Sequence, residues 1–539
     1  MFALEKRLNK PFSIKNFIST EFLFSLALFS FGLYYYCFRI LGCDLSYTPG
    51  DYGDSRFINY ILEHGYRWLI GKENDFWQAN FMYPLKNNVA ISDSMIGSLP
   101  LYALFRFMGK DTETAYQLWW LSSCILNFVA AFYALGKFKF RPYLAALGAY
   151  VFAFGINNFN QFVHLQFNCK FLVPIACVYF YLFIGKPNFK TLVVLSIALL
   201  WQFFCSAYIT IFLVMFFFFV SVFYFISTKN RENFFEQWNK GLALKSLVLL
   251  SAVFALFLTV AGPYFQMSRL LGKQQYENIV SYLPQCSSYF FPDLSAITWN
   301  FLCGNFIGKI ENWWTHNYFA GGFTYFGFLF SFFYLPYCMI KQKKTNTLLT
   351  MAVIACLMII ALFTRTESHF SLFQYFQNWP VFGSMRVPGR FMIVLNFVFI
   401  VMSLYYINLF FKRFHFLIIF LLAIVVVGDN LFSVTPPFVR SEKLIRVGRT
   451  QYMKNLILKE NKNQAKVVVV LNTNLRLESY QLDVMLATQE MDLYTLNGYS
   501  STCYQLLCGA YNDPKHHNLS LWLKEHQINE KDVSFIELK

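Results

Sequence analysis

The sequence predicts an α-helical polytopic membrane protein, with about eleven transmembrane helices and a small α/β C-terminal domain. Three observations carry that expectation. First, 57% of the 539 residues are hydrophobic and only 14% are charged, against about 25% charged in a soluble domain. Second, the apolar residues fall in long blocks separated by short polar knots, each block long enough to cross roughly 30 Å of hydrocarbon or nearly so. Third, the composition changes over the last hundred residues, which are rich in Lys, Asn, Glu and Gln. Disorder, collagen, coiled coil and a cytosolic enzyme are excluded on these grounds. The net charge of +16 is no nucleic-acid footprint, because the basic residues fall in the short loops between the apolar blocks.

The first block, Phe22 to Leu41, follows Lys6, Arg7, Lys10 and Lys15. It is too long for the apolar core of a signal peptide and no A-x-A-like site follows, so it reads as an uncleaved span with its N-terminus in the cytoplasm. Further spans are predicted over Thr114 to Leu135, Pro142 to Ile156, Asn168 to Ile184, Thr191 to Tyr208 and Ile209 to Ser227. Five more follow near Leu244 to Gly262, Phe319 to Ile340, Thr347 to Phe363, Phe391 to Phe411 and Phe416 to Val434.

Every second loop is a compact basic knot: Lys137, Lys139 and Arg141; Lys186 and Lys190; Lys229, Arg231 and Lys240; Lys341, Lys343 and Lys344; Lys412 and Arg413. The positive-inside rule places these knots in the cytoplasm. The longer, mixed segments Gly42 to Glu113, Pro263 to Tyr318 and Thr364 to Arg390 then lie outside, and an odd number of spans puts the C-terminal tail with them. The predicted organisation is a transmembrane region over residues 1–434, including the outer loop 42–113, and an extracytoplasmic α/β region over 435–539, with a strand-like run at Lys466 to Leu471 beside helix-like Met453 to Glu460. The expected location is the cytoplasmic (inner) membrane, crossed several times. No internal repeat is visible, which counts weakly against a transporter.

The 12 cysteines are scattered and mostly sit in apolar blocks, where the residue acts as a small hydrophobe. Cys43, Cys286, Cys303, Cys503 and Cys508 fall on the outer side, with no pairing deducible. Neither C-x-x-C nor H-E-x-x-H occurs, so no structural zinc site is expected. Charged residues inside the spans would mark ion coupling, but Lys170 and Asp429 sit toward span ends and the interiors offer only neutral groups such as Gln202 and Asn396.

The polar chemistry gathers on the outer loops. The first begins Thr48-Pro49-Gly50-Asp51-Tyr52-Gly53-Asp54-Ser55-Arg56. Two carboxylates three residues apart can hold a divalent cation, or one can take a proton while the other orients a hydroxyl. They also suit a Gly/Asp turn into a helix from Ser55 to Ile70 with Asp54 as its N-cap, and both readings stay open. Downstream, the apolar stretch ending at Met108 is short for a span and suits a helix lying in the interface, with Asp93 as its N-cap or as a group supporting the site. Between the third and fourth spans, Asn157 to Lys170 includes His164 and Gln166; the histidine is a structural hydrogen bonder or a ligand or base. Arg386 and Arg390, at an outer boundary, run against the charge trend and need an anionic partner, either lipid headgroups or a bound phosphate or pyrophosphate.

Taken in order, Gly50-Asp51-Tyr52-Gly53-Asp54, Tyr83-Pro84, Ser92-Asp93, His164-Leu165-Gln166 and Arg386-Val387-Pro388-Gly389-Arg390 resemble integral-membrane glycosyltransferases of the GT-C type. The resemblance extends to bacterial relatives whose outer C-terminal domain carries an Asn-Gly-Tyr-Ser signature, here Asn497 to Ser500. It implies an inverting hexosyltransferase that moves a sugar from a polyprenyl-phosphate donor to a glycan, lipid or protein acceptor on the outer face of the membrane. It assigns the base, or a ligand for Mg or Mn, to Asp51 or Asp54, and leaves Arg386, Arg390, Asp93, His164 and Gln166 to bind substrate. A lipid-linked donor agrees with the lack of a Gly-rich nucleotide loop. The expected partners are that donor, membrane lipids and the acceptor, with no nucleic acid. The competing expectations are a lipid-linked-glycan flippase or transporter, and a non-catalytic membrane scaffold.

Overall fold

The structure is a computed structural model that describes residues 19–303, 315–341, 346–379, 382–411, 416–436, 438–472, 479–499, 506–507 and 517–538. Lys6, Arg7, Lys10, Lys15, Lys343, Lys344, Lys412, Arg413, Ser500, Cys503 and Cys508 lie outside the described residues.

All eleven predicted apolar blocks are helical over most of their length. Six helices among the described residues are long and apolar enough to cross a membrane: Thr20–Leu41, Thr112–Lys137, Ala207–Ile226, Lys240–Leu271, Gly322–Ile340 and Pro388–Phe410. Leu172–Gly185, Phe189–Cys205, Thr347–Phe363 and Leu417–Asp429 are shorter apolar helices, and Pro142–Phe154 is a 13-residue one. Local sequence explains several starts. Asp111, Asn188, Asn239 and Asn346 each accept the backbone N–H three residues on, so a short polar side chain satisfies one of the orphan donors at the helix head. Pro142 opens its helix at a position where no intrahelical N–H is needed.

Pro142–Phe154 and Met392–Phe410 bury most of their residues and form the middle of the bundle, whereas Lys240–Leu271 buries only Ser246, Val260, Ala261 and Met267 and lies at its periphery. Two of the boundaries that differ from expectation bear on the site's surroundings. The helix predicted to stop at Gly262 runs through Pro263 to Leu271, because the packing of Tyr264 against Trp77 and its hydrogen bond from the Ser94 N–H hold the turn that the proline would otherwise break. The span expected to begin at Asn168 begins at Leu172, leaving Lys170 ahead of it. That lysine is buried, donates to the Asn158 side-chain oxygen at 2.6 Å and lies over the Phe152 ring.

The loop 42–113 folds as a strand, β1 (Tyr47–Pro49), a long helix, Asp54–Leu69, and a short one, Leu99–Phe107. The short helix buries Leu99, Tyr102 and Ala103 and exposes Leu104, Phe107 and Met108, as an interfacial helix does. The C-terminal part begins with β2 (Arg440–Glu442), which pairs antiparallel with β1. Helices Lys443–Glu460, Ser479–Glu490 and His517–Glu525 then alternate with β3 (Val467–Leu471), β4 (Tyr494–Thr495) and β5 (Val533–Glu537) in a parallel sheet of order β4-β3-β5. All five residues of β3, Val-Val-Val-Val-Leu, are buried, the signature of a central parallel strand covered on both faces.

Ion pairs, buried except at Asp492, clamp this part onto the first loop. Arg56 and Arg449 share the Asp483 carboxylate, Arg67 bridges Glu73 and Asp492, and the Arg446 Nε lies 2.9 Å from Glu113.

Candidate active site

Four of the acidic residues in and around these loops are committed to structural jobs. Asp429 accepts the backbone N–H groups of Gly322 and Phe323 and the Trp299 indole N–H, capping the Gly322–Ile340 helix. Asp293 accepts from the Ser295 backbone and from Asn317. Asp93 was expected to cap the helix that follows it; it instead accepts the Ala207 N–H at 3.0 Å and the Ser206 hydroxyl at 3.1 Å, capping the Ala207–Ile226 helix more than a hundred residues away. Its own neighbour, Leu99–Phe107, starts at Ser98 with a proline in the first turn. Asp54 was likewise expected as an N-cap, yet it is the first residue of its helix, with Gly53 in the cap position. The capping carboxylate is Asp51, which accepts the Ser55 N–H at 3.1 Å.

Asp54 is the exception: its partners among the described residues are side chains. The Tyr499 hydroxyl donates to Oδ1 at 2.8 Å, and the His164 Nδ1 lies 3.2 Å from Oδ2. Burial, with the positive charges of Arg390 and Arg386, holds the His164 imidazole well below its ordinary pKa. The neutral form of the ring is thereby favoured, with its Nδ1 beside the Asp54 carboxylate. Burial raises the Asp54 pKa, opposed by the Tyr499 hydrogen bond and the two arginines, while burial and the neighbouring Asp54 charge raise that of Asp51. The Asp54 and His164 side chains keep 33% and 28% of their surface accessible, so a ligand can reach them.

The arginines are braced by aromatic rings. The Arg386 guanidinium donates to the Tyr282 hydroxyl at 3.1 Å and lies over that ring, and its backbone N–H donates to the Tyr208 hydroxyl. Arg390 stacks over Phe167 at 4.6 Å and Tyr208 at 4.8 Å. Gly389 between them is required by close approach, since a Cβ there would collide with the Tyr318 hydroxyl. At Gly53 a Cβ would crowd the Asp51 carboxylate at 3.0 Å and the Tyr499 hydroxyl at 3.1 Å.

Of the residues singled out in sequence, the structure gathers Asp51, Asp54, His164, Arg386 and Arg390. Asp93 sits behind this group, within the field of Arg390, and burial pushes its pKa up to about 6. Gln166 is buried with its Oε1 unpartnered among the described residues, and no contact joins it to Asp54 there.

Tyr499 is the residue that sequence reasoning missed. Its signal was the Asn-Gly-Tyr signature, whose asparagine does the positioning. The Asn497 amide exchanges hydrogen bonds with both backbone groups of Val470 at 2.8 Å, as a neighbouring strand would, and the Asn497 carbonyl accepts the Met82 N–H. The segment thus runs between β3 and the first loop and delivers Tyr499 to Asp54.

Among the described residues no three-carboxylate or histidine cluster forms a cation site. Asp54 Oδ1 accepts from Tyr499, Oδ2 lies beside His164, and no group of three or more His, Cys, Asp or Glu side chains among the described residues is placed to hold a metal ion.

A family model, "Domain of unknown function (DUF6311)", matches residues 72–429, more than half of the chain. The chain belongs to the DUF6311 family. The DUF6311 match spans Asp93, His164, Gln166, Arg386 and Arg390, while Asp51, Asp54 and Tyr499 lie outside it. No curated protein matches the sequence. Among solved structures, the chain is similar to the Archaeoglobus fulgidus oligosaccharyltransferase in the apo form, at 12% identity and a TM-score of 0.44 over 90% of this chain. The chain spans 65% of the length of that structure.

Proposed function

We propose that this DUF6311 chain is a membrane glycosyltransferase that moves a sugar from a polyprenyl-phosphate donor to an acceptor hydroxyl at the Asp54 end of the helix bundle. The observation that carries the reading is a reachable carboxylate held by Tyr499 and His164 within the field of two arginines, beside a bundle of apolar helices suited to a lipid tail.

Asp54 takes the proton of the attacking hydroxyl; its raised pKa makes it the better acceptor. The acceptor oxygen forms a bond to the anomeric carbon as the bond from that carbon to the phosphate oxygen breaks, and the polyprenyl phosphate leaves with the electron pair. A single displacement inverts the anomeric centre. Arg386 and Arg390 offset the charge that grows on the phosphate, their guanidinium planes fixed by Tyr282, Phe167 and Tyr208. Tyr499 and His164 orient the base, and Asp51 holds the turn that presents it. No step is routed through a metal.

The test is transfer from radiolabelled polyprenyl-phosphate sugars to membrane-extract acceptors by the purified protein. Asp54→Asn is expected to lower the rate by about 10²- to 10⁴-fold, with the protein still folded, and EDTA to leave it unchanged. Full activity of Asp54→Asn refutes the assignment of the base. Movement of the labelled lipid across vesicles without chemical change refutes the transferase reading in favour of a flippase.

A further inference from the structure

At the end of the bundle away from Asp54 the helices line a half-open cavity of about 300 Å³. Its distance from the site follows from helix rise. Asn408 on its rim lies 18 residues beyond Arg390 along one helix, roughly 27 Å away at about 1.5 Å per residue. The walls come from four helices, Leu172–Gly185, Ala207–Ile226, Thr347–Phe363 and Met392–Phe410, and are apolar: Phe180 and Phe217 stack with ring centroids 4.1 Å apart on one side, facing Ala352 and Val401 on the other. A volume of this size is that of a small-ligand pocket and far more than one water requires.

The rim has a different character. Lys139, Asn346 and Asn408 stand there, and Lys139 is exposed with no acidic partner among the described residues. It belongs to the sequence Lys137-Phe138-Lys139-Phe140-Arg141, which sets three cations around two rings, and Phe138 and Phe140 both line the cavity. An apolar shaft under a cationic rim is complementary to a molecule with a hydrocarbon chain and an anionic head.

We propose that this cavity binds an acyl chain of an anionic glycerophospholipid, with the headgroup phosphate at Lys139. The occupant is a lipid other than the sugar donor, since a donor phosphate at Arg386 and Arg390 is at the far end of the bundle. The site is independent of the transferase reading and stands whether or not Asp54 is a base.

The experiment is native mass spectrometry of the full chain in detergent with added phosphatidylglycerol, then with phosphatidylcholine of the same chain length. One phosphatidylglycerol is expected to stay bound, with at least tenfold less retention of phosphatidylcholine. Lys139→Glu, at an exposed position, is expected to lower phosphatidylglycerol retention at least tenfold with the protein still folded. Ala352→Trp, which fills the shaft, is expected to abolish it while Asp54-dependent transfer persists. Equal retention of the two lipids, or unchanged retention by Lys139→Glu, overturns the proposal. So does displacement of the bound phosphatidylglycerol by polyprenyl phosphate at equal concentration, which would make the shaft part of the donor site. Where Ala352→Trp fails to fold, Lys139→Glu decides alone.

Discussion

Glu113→Gln is the substitution with the largest expected effect on how the C-terminal part is seated. Glu113 lies in the first turn of the Thr112–Lys137 helix and faces the Arg446 Nε at 2.9 Å, with 8% and 0% of the two side chains accessible. The other contacts of Arg446 are the Ser55 and Ser441 hydroxyls, the Asp51 carbonyl and the Tyr116 ring, and the Asp51 carboxylate lies within its field without an ion-pair contact. Arg56, also fully buried, is within reach of the same charges and relies on Asp483. Neutralising Glu113 leaves the buried Arg446 with no carboxylate in ion-pair contact among the described residues, while Arg56 and Arg449 keep Asp483. Removing one partner of a buried pair costs about 3–5 kcal/mol, and at about 1.4 kcal/mol per decade the opening of the Lys443–Glu460 helix becomes roughly 10²- to 10³-fold or more easier. Amide hydrogen exchange on that helix reads the change directly. The double variant Glu113→Gln/Arg446→Met is expected to recover most of the loss, because an apolar replacement needs no counter-charge. An effect under tenfold in the single variant, or no recovery in the double, refutes the reasoning.

Three further outcomes are expected. Tyr499→Phe removes a hydrogen bond to a carboxylate, worth about 1.5–3 kcal/mol, so transfer should fall roughly 10- to 100-fold with unchanged expression; wild-type kinetics would remove Tyr499 from the site. Asp93 has a folded pKa raised to about 6 from an ordinary value near 4, so it contributes fully to stability below about pH 4 and that contribution is lost as the pH rises through 6. Asp93→Asn should flatten the thermal-stability profile over that window, and parallel profiles would refute the link. Gly389→Ala drives a methyl group into the Tyr318 hydroxyl, an overpacking cost of about 1–3 kcal/mol, and should weaken donor binding through displaced Arg390; an unchanged KM would refute the coupling.

The apolar helices were legible because hydropathy is a local property: windows such as Ala207–Ile226 announce themselves without reference to any partner. The loop carrying Asp51 and Asp54 was legible for the same reason. What local reading could not supply was the use of each carboxylate. Asp93 looks like a cap for the helix a few residues on, but its acceptor geometry is satisfied at Ser206 and Ala207, and nothing in residues 92–98 encodes that. Asp54 occupies an N-cap by spacing, yet the glycine before it takes that position and the side chain is released toward Tyr499, 445 residues later. The span expected near Leu244 to Gly262 continues through Pro263, and the packing that tolerates the proline is tertiary.

The short ladder between β1 and β2 joins residues 47–49 to residues 440–442, and the Tyr499 contact reaches further still. The order of synthesis therefore matters to this site. A growing chain makes its carboxylate turn early and its helices next, but the hydroxyl that holds Asp54 emerges only after nearly five hundred residues. Until then Asp54 lacks its tyrosine donor, and a ribosome stalled at any earlier point leaves a membrane-inserted chain in which the surroundings of Asp54 are unfinished.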